Sequence, residues 1–320
     1  MQAKLIGAAI CAVAATTAMA TDWYPSKPVR LVVPFSPGGG NDIAARFVAV
    51  RLTEGFNQSA VVDNRPGAGS TLGTDLVAKA VPDGYTLLVT HNAIAINQTL
   101  YSKLPYDTVR DFAQVAIIGT TTNTLVVNPV VPARSTKELI ALLKSKPGAL
   151  NYASTGAGGT SQLAMEYFRI ETGTSIVHIP YKGTAPALTD VVGGQVQLMI
   201  SALPGTVPFI NSKRLVALAT TGKKRSAFLP ELPTLAESGV PGYEFDTFYG
   251  LHAPAKVPKE IITKLNAEIT KALSRQEVKD QLFKQGLEAQ TSTPEEFAKF
   301  VRSEVVKMAK IIKESGAKPE

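Results

Sequence analysis

The sequence predicts an α/β protein of two lobes, and three observations lead there. Short Val/Ile/Leu-rich runs alternate with helix-period segments through most of the chain. The runs are bounded by Gly and Pro and are apolar throughout, as strands covered on both faces are. Once a leader is removed, roughly 300 residues remain, which divide more naturally into two domains than one.

The N-terminus sets the compartment. MQAKLIGAAICAVAATTAMA carries Lys4, an apolar stretch from Leu5 to Ala15, and Ala18-Met19-Ala20 as an A-x-A cleavage signal. Residues 1–20 therefore read as a secretory signal peptide, too short and wrongly flanked for a membrane span. A lipid-anchored cysteine would need Leu three residues before Cys11 and a small residue just before it, but Ala8 and Ile10 stand there. Soluble export, with cleavage near Ala20, is expected. Cleavage lowers the net charge of +7 by one and takes away the only cysteine. The mature chain then has no disulfide and no thiolate metal site, and neither metal nor cofactor is expected. Its basic balance does not indicate nucleic acid, because Lys and Arg are scattered and few aromatics interleave them.

In order, VRLVVPF, AVVDN, YTLLVTH, TLVVNP, LNYAS, SIVHIP, VQLMISA and LVALATT read as strands. Asp42–Thr53, Thr71–Ala80, Thr136–Lys144, Ser161–Glu171 and Pro186–Val192 read as helices. From Pro258 to Glu314 strand signals stop and three amphipathic helices follow, their mixed charges suiting a lobe surface rather than a membrane. Two neutral stretches, IGTTTNT at 118–124 and ATTGKKRSAFLPELPT at 219–234, are the expected crossings between lobes. They divide the chain into a discontinuous first lobe, 21–122 and 232–320, and a second lobe, 123–231. Ligands of open α/β sheets gather at the carboxyl ends of strands, where two lobes would face each other.

The loops carry the chemistry. VVPFSPGGGND, residues 32–42, runs from a strand through three glycines into a helix. Around Ser36 it resembles an esterase elbow, but the next residue, Pro37, has no N–H for an oxyanion hole. The glycines match neither a phosphate loop nor a dinucleotide fingerprint. Simpler physics remains: glycine lets backbone approach a ligand, Asn41 can cap the helix, and the free amides of a first turn attract an anion. Phe35, Ser36, Pro37, Gly38, Gly39 and Asn41 are therefore candidate contacts, with Asp42 ordering the loop. NYASTGAGGTSQLAMEYF repeats the design, offering Ser154, Thr155, Thr160 and Ser161 as neutral donors. Each hydrogen bond to a charged group contributes about 1.5–3 kcal/mol, so several could hold one carboxylate between lobes without an arginine.

Other positions are less determined. Arg65 in DNRPGAGSTLGTD is either a ligand cation or a tie to Asp63 or Asp75. Tyr181 and Lys182 sit where a helix begins, and Ser201-Ala202 ends a strand. Phe248 and Tyr249 are either core aromatics or a cleft wall. His178, in an apolar strand, reads as packed core; His91, ending a strand at the cleft, reads equally as ligand contact or frame.

Several long motifs in order then carry a resemblance over essentially the whole mature chain. YPSKPVRLVVPFSPGGGNDIAAR, VVDNRPGAGSTLGTDLVAKAVPDGYTLL, LPYDTVRDF, VHIPYKGTAPALTDVVGGQVQLM and LPTLAESGVPGYE resemble the Bug (TctC-like) family, periplasmic solute receptors of tripartite tricarboxylate transporters. The resemblance implies a two-lobed type II periplasmic-binding-protein fold, each lobe a mostly parallel sheet flanked by helices, with an organic acid in the cleft. It implies no catalysis, a monomer, and membrane permease subunits as partners. In the family, the loops corresponding to Phe35–Asp42 and Ser154–Ser161 clamp a carboxylate.

Departures bear on the ligand. Many relatives read S-S-G-N-G-T-P-S-H-L where this chain has Ser154-Thr155-Gly156-Ala157-Gly158-Gly159-Thr160-Ser161-Gln162-Leu163. Many carry D-N-L-P where Ser201-Ala202-Leu203-Pro204 stands here. Without that acid an ammonium group has no evident partner, so a non-amino mono- or dicarboxylate is expected, with aromatic acids favoured over tricarboxylates. The resulting ligand set is Phe35, Ser36, Pro37, Gly38, Gly39, Asn41, His91, Ser154, Thr155, Thr160, Ser161, Tyr181, Ser201, Ala202 and Phe248. The alternatives are a sensory binding protein that presents a carboxylate to a receptor kinase and, more remotely, a Ser hydrolase.

Overall fold

A computed structural model describes residues 24–319 apart from 157 and 182. The signal peptide, Ala157 and Lys182 lie outside the described residues. In chain order the strands are β1 (Val29–Val33), β2 (Ala60–Asn64), β3 (Thr86–His91), β4 (Phe112–Thr121), β5 (Asn123–Val127), β6 (Asn151–Ser154), β7 (Val177–Pro180), β8 (Leu198–Ala202), β9 (Val216–Thr220), β10 (Thr247–Pro254) and β11 (Glu288–Ala289). The helices are α1 (Gly40–Phe56), α2 (Thr71–Ala78), α3 (Ala93–Leu100), α4 (Thr136–Ser145), α5 (Thr160–Thr172), α6 (Thr184–Gly193), α7 (Leu203–Asn211), α8 (Lys259–Leu273), α9 (Gln276–Lys284) and α10 (Pro294–Ser315).

The strands form two sheets, ordered β2-β1-β3-β10-β4-β11 and β7-β6-β8-β5-β9. Only β2-β1-β3 and β7-β6-β8 are parallel; β10 runs antiparallel to β3 and β4, and β5 antiparallel to β8 and β9. The sheets are therefore mixed rather than mostly parallel. The reason is the crossing. A strand that has just entered a sheet from the other one starts at the junction and points away from it. β5 and β10 are those two strands, and they run against the βα units whose carboxyl ends face the junction.

Both faces of each sheet are buried, which explains the unbroken apolar runs. Leu31, Val33, Leu87 and Val89 pack toward α1 and α8, in one core with Val48, Leu52, Leu265 and Ile269. Val32 and Leu88, one residue out of phase, join Ile94, Phe112, Phe248 and Phe297 on the other face. In the second sheet Leu125, Val127, Tyr152, Leu198 and Ile200 meet α4 and α5, while Val126, Ala153 and Met199 meet α6 and α7. Helix α10 serves both halves: Phe297 and Val301 belong to the first sheet's core, Met308, Ile311 and Ile312 to the second's.

All eight expected strands are present, and so are the three C-terminal helices. The stretch 118–124 passes from one sheet to the other as the end of β4 and the start of β5, with Thr122 alone between them. Thr121 and Thr124 are buried, at 2% and 0% exposure, and Thr120 and Thr122 are half-buried, so the crossing is a continuous strand path. Of residues 219–234, the first two end β9, and Leu235, Val240, Tyr243 and Phe245 beyond them pack with the second sheet before β10 returns. Helices α3 and α7 and strands β4 and β10 were not anticipated, and β11 is a two-residue strand in the region expected to be purely helical.

Asp246 joins the crossings. Its carboxylate accepts the Thr122 hydroxyl at 2.9 Å and the Thr221 hydroxyl at 3.3 Å, while its carbonyl accepts Asn92 Nδ2 at 3.0 Å. Burial pushes its pKa up to about 6 against the pull of the two hydroxyls, and Glu244 and Glu288 add to the rise.

Candidate functional site

A cavity of about 450 Å³ lies where the two sheets meet, inside the roughly 300–1,000 Å³ range of ligand pockets. Its wall contains the starts of five helices: Gly39 to Asn41 before and in α1, Ala93 in α3, Thr160 and Ser161 in α5, Gly183 and Thr184 at α6, and Ala202 before α7. None of the five has a side-chain oxygen bonded across its cap. Away from the cavity, α4 and α10 are capped by Ser135 and Thr293, while α2, α8 and α9 have no side-chain cap either.

The two glycine loops begin their helices in the same way. In α1 the first intrahelical bond runs from Ile43 N–H to Gly39 C=O at 3.0 Å, leaving the amides of Gly40, Asn41 and Asp42 without a helical acceptor. In α5 it runs from Leu163 N–H to Gly159 C=O at 3.0 Å, leaving those of Thr160, Ser161 and Gln162. Such first-turn amides, with the helix dipole behind them, favour an anion.

The three glycines of the first loop have three causes. Gly38 has φ +87°, and its N–H donates to Asp42 Oδ2 at 3.0 Å, so it makes the turn. Gly39 has φ −87°, which any residue adopts, and a Cβ there would meet nothing within 4 Å. Its missing side chain leaves the end of α1 open to the cavity. Gly40 has the Tyr249 hydroxyl where a Cβ would stand.

Asp42 orders this loop, accepting Arg46 Nε at 2.8 Å and Asn64 Nδ2 at 3.1 Å besides Gly38. Burial would raise its pKa, but those bonds and the Arg46 charge outweigh burial and hold it below the ordinary value. Arg65 donates to Asp63 at 3.1 Å, which settles it as a tie within its turn.

Aromatic rings form one wall. Phe35 and His91 lie 4.6 Å apart between centroids, and His91 and Tyr249, paired across β3 and β10, lie 6.4 Å apart. His91 Nδ1 accepts the Ala93 amide at 3.0 Å, which leaves its ring proton on Nε2. Burial lowers its pKa to about 4, so it is neutral at pH 7. The ring therefore serves both the frame, by capping α3, and the wall.

Of the expected contacts, Phe35, Gly39, Asn41, His91, Thr155, Thr160, Ser161, Ser201 and Ala202 line the cavity. Six do not. Ser36, Pro37 and Gly38 form the exposed outer rim of their loop. Ser154 is fully buried behind the second loop, 2.6 Å from His178 Nε2. Tyr181 turns to Asp190, donating at 2.7 Å. Phe248 points to the opposite face of β10 and is 1% exposed among Phe297 and Phe300. Its neighbour Tyr249 takes the cavity side instead. Sequence reasoning also missed Gly69, Asn97, Leu100, Tyr101, Asn123 and Thr247. Ser161 gives its hydroxyl to the Ile200 carbonyl at 2.5 Å, so its backbone amide is the donor it has left.

No Asp, Glu, Lys or Arg is among the described residues of the wall. Asn41 is 5% exposed, and its Oδ1 is buried without a hydrogen-bond partner. That lone acceptor is left to water or to the hydroxyl of a hydroxy acid, while the open amides beside it suit the carboxylate oxygens. Among the described residues no helix is long and apolar enough to cross a membrane.

Two sheets joined by crossing strands around a polar cavity define a two-lobed binding protein of the periplasmic type. The particular family follows from comparison. Residues 44–317 match the model described as tripartite tricarboxylate transporter family receptor, and the chain belongs to that family. It is 35% identical over 316 residues to protein BugT of Bordetella pertussis, covering 98% of this chain and 97% of BugT. It is similar to R. palustris Rpa4515, solved with adipate, with 36% identity, TM-score 0.84, and 93% of this chain and 100% of that one covered. MatC from Rhodopseudomonas palustris, solved with bound malate, is 30% identical with TM-score 0.79, covering 90% of this chain and all of the other. The family is one of solute receptors, not enzymes.

Proposed function

We propose that this protein captures a non-amino mono- or dicarboxylate between its lobes and delivers it to the permease of a tripartite transporter. The observation that carries the reading is the wall itself, where open helix starts from both sheets face one cavity with no charged side chain among the described residues of its wall. Backbone amides can take a carboxylate there without a cation to neutralise it. The solved relatives with adipate and malate support a small carboxylate. An ammonium group would enter without a carboxylate partner, and an unpaired buried charge is costly. The rings of Phe35, His91 and Tyr249 suit an apolar or aromatic body, and the absence of arginine from the described wall disfavours tricarboxylates. The wall residues, Asn97, Asn123, Thr247 and Tyr249 included, are the proposed contacts.

We further propose that export through a leader cleaved after Ala20 delivers the protein to the periplasm. The lobes divide near residues 122 and 246 and close on the ligand, since closure lets both loops donate to the same carboxylate. A thermal-shift and calorimetric panel of aspartate, glutamate, succinate, adipate, citrate, benzoate and terephthalate is the test. A ligand at a hundredfold its Kd stabilises by about 2.7 kcal/mol, which moves the midpoint by several degrees. Tightest binding by either amino acid overturns the non-amino reading. Uptake in a deletion strain tests delivery, and small-angle scattering with and without ligand tests closure.

A further inference from the structure

Behind the second glycine loop stands a hydrogen-bond relay in which every donor can be told from its acceptor. Gly158 N–H donates to Gln162 Oε1 at 2.5 Å. That bond orients the amide, so the atom 3.2 Å from His178 Nδ1 is Gln162 Nε2. An NH₂ group only donates; Nδ1 therefore accepts, and the ring proton sits on Nε2. Nε2 lies 2.6 Å from Ser154 Oγ, and the Ser154 hydroxyl gives its hydrogen to the Gly156 carbonyl at 3.1 Å. One neutral imidazole on β7 thereby ties two points of the loop, the Gly156 carbonyl and the Gly158 amide.

We propose that His178 is the positioning residue of this loop: its Nε2–H tautomer holds Gly156 and Gly158 beside the open start of α5, and a second ring proton releases one of them. An imidazolium donates from both nitrogens, so Nδ1–H would face the Gln162 NH₂. Turning the amide over moves the conflict onto Gly158 N–H. In either arrangement one tie is lost.

The surroundings set the direction. From β6 the Tyr152 ring stacks on His178 with centroids 4.8 Å apart. From α5 the charged group facing the ring is Glu166, which accepts the Tyr152 hydroxyl at 2.5 Å and Arg169 Nε at 2.8 Å. Burial lowers the His178 pKa below 6.5, and Glu166 opposes that only in part. A base with a depressed native pKa is neutral at pH 7.5, and its contribution is lost as pH falls below the unfolded value of about 6.5.

The latch itself does not depend on what the cavity binds; its effect on affinity rests on the carboxylate reading. The experiment is amide hydrogen exchange of the 152–163 segment from pH 7.5 to 4.5, corrected for intrinsic rates, beside ¹⁵N NMR of the His178 ring. Nitrogen shifts should show Nε2–H at pH 7.5, and protection of the segment should fall at least tenfold as the ring titrates. Gln162→Glu supplies an acceptor for both Gly158 N–H and Nδ1–H, so the ring should titrate higher and protection should survive protonation. His178→Phe keeps the stack on Tyr152 and should lose protection at every pH. If that variant does not fold, Gln162→Glu still decides. A proton on Nδ1 at pH 7.5, or protection level through the titration, overturns the proposal. A panel in which no carboxylate binds would overturn the ligand reading and leave the latch to the exchange data.

Discussion

The two glycine loops present the same thing, a bare helix start, and are held in opposite ways. The first, 35–42, is clamped by charge: Asp42 gathers Gly38, Arg46 and Asn64. The second, 154–162, is held by neutral groups, Ser154, His178 and Gln162. Donors aimed at an anion have to be free of other acceptors, so each loop is fixed from behind, by groups that stay out of the cavity. The choice of fixative then decides which pH disturbs which loop. A carboxylate held below its ordinary pKa keeps the first loop intact through the ordinary carboxylate range, whereas a histidine with a depressed pKa yields somewhere below 6.5.

The comparison breaks most directly at Gly39. A side chain there has allowed backbone and open space around it, so Gly39→Val should fold normally and fill the end of α1. Losing two or three charge-assisted bonds should weaken binding of the tightest carboxylate at least a thousandfold, about 4 kcal/mol. Gly159→Val is the contrast, because a Cβ there lies 3.2 Å from both the Gly156 carbonyl and Thr155 Oγ1. That variant should lose thermal stability as well as affinity. Unchanged calorimetric affinity in a folded Gly39→Val protein would make the first loop only a turn.

The next effect belongs to the joint between the halves. Asp246, its pKa raised to about 6 chiefly by burial, is the acid between the two crossings. A raised native pKa means that stability is highest below the unfolded value of about 3.9 and is lost as pH rises through 6. Asp246→Asn keeps an oxygen for Thr122 and Thr221 while removing the charge. It should raise unfolding stability at pH 7.5 by on the order of 2–3 kcal/mol, and the gain should vanish near pH 3.5. Chemical denaturation at both pH values reads this, and a less stable variant at pH 7.5 would show that the charge itself holds the hinge.

Asp42→Asn sharpens the contrast between the clamps. Arg46 is 60% exposed, so its ion pair contributes little, and the loss falls mainly on the Gly38 and Asn64 bonds. Affinity should drop about tenfold, roughly 1.4 kcal/mol. The drop should be equal at pH 7.5 and 5.0, since Asp42, held below the ordinary carboxylate value, stays ionised at both. A deficit that shrinks at pH 5.0 would mean that the two loops share one titrating group.

What the sequence revealed, and what it hid, follows the range of the cause. Glycine loops are local: a strand pattern, a glycine cluster and a helix pattern lie within a dozen residues, and both loops were readable. α3 was missed because AIAINQTL follows β3 with no breaker, and α7 because LPGTVPFIN carries two prolines and a glycine. β4 was missed because its end, Gly119-Thr120-Thr121, mimics a neutral crossing segment. Asn97, Asn123 and Thr247 reach the wall through helix packing and strand crossing, which no window of sequence contains. His178 looked like inert core because its partners sit 24 and 16 residues away.

Phe248 and Tyr249 show the sharpest limit. Adjacent strand residues point to opposite faces, so a parity error of one exchanges core for cavity. Here Phe248 packs on Phe297 and Phe300, and Tyr249 lies against Gly40 and His91. The two should respond differently to small changes. Phe248→Leu removes core volume and should cost about 1–2 kcal/mol of stability with affinity unchanged. Tyr249→Phe keeps the ring and removes one hydroxyl at the start of α1. Its stability should shift by less than about 1 kcal/mol, while affinity for the tightest ligand falls threefold or less. The effect is small because the α1 amides, not the phenol, carry the anion in this reading. A hundredfold loss in Tyr249→Phe would move the principal donor from the backbone to the wall, and the likeness of the two loops would then explain less of the binding than the aromatic face between them.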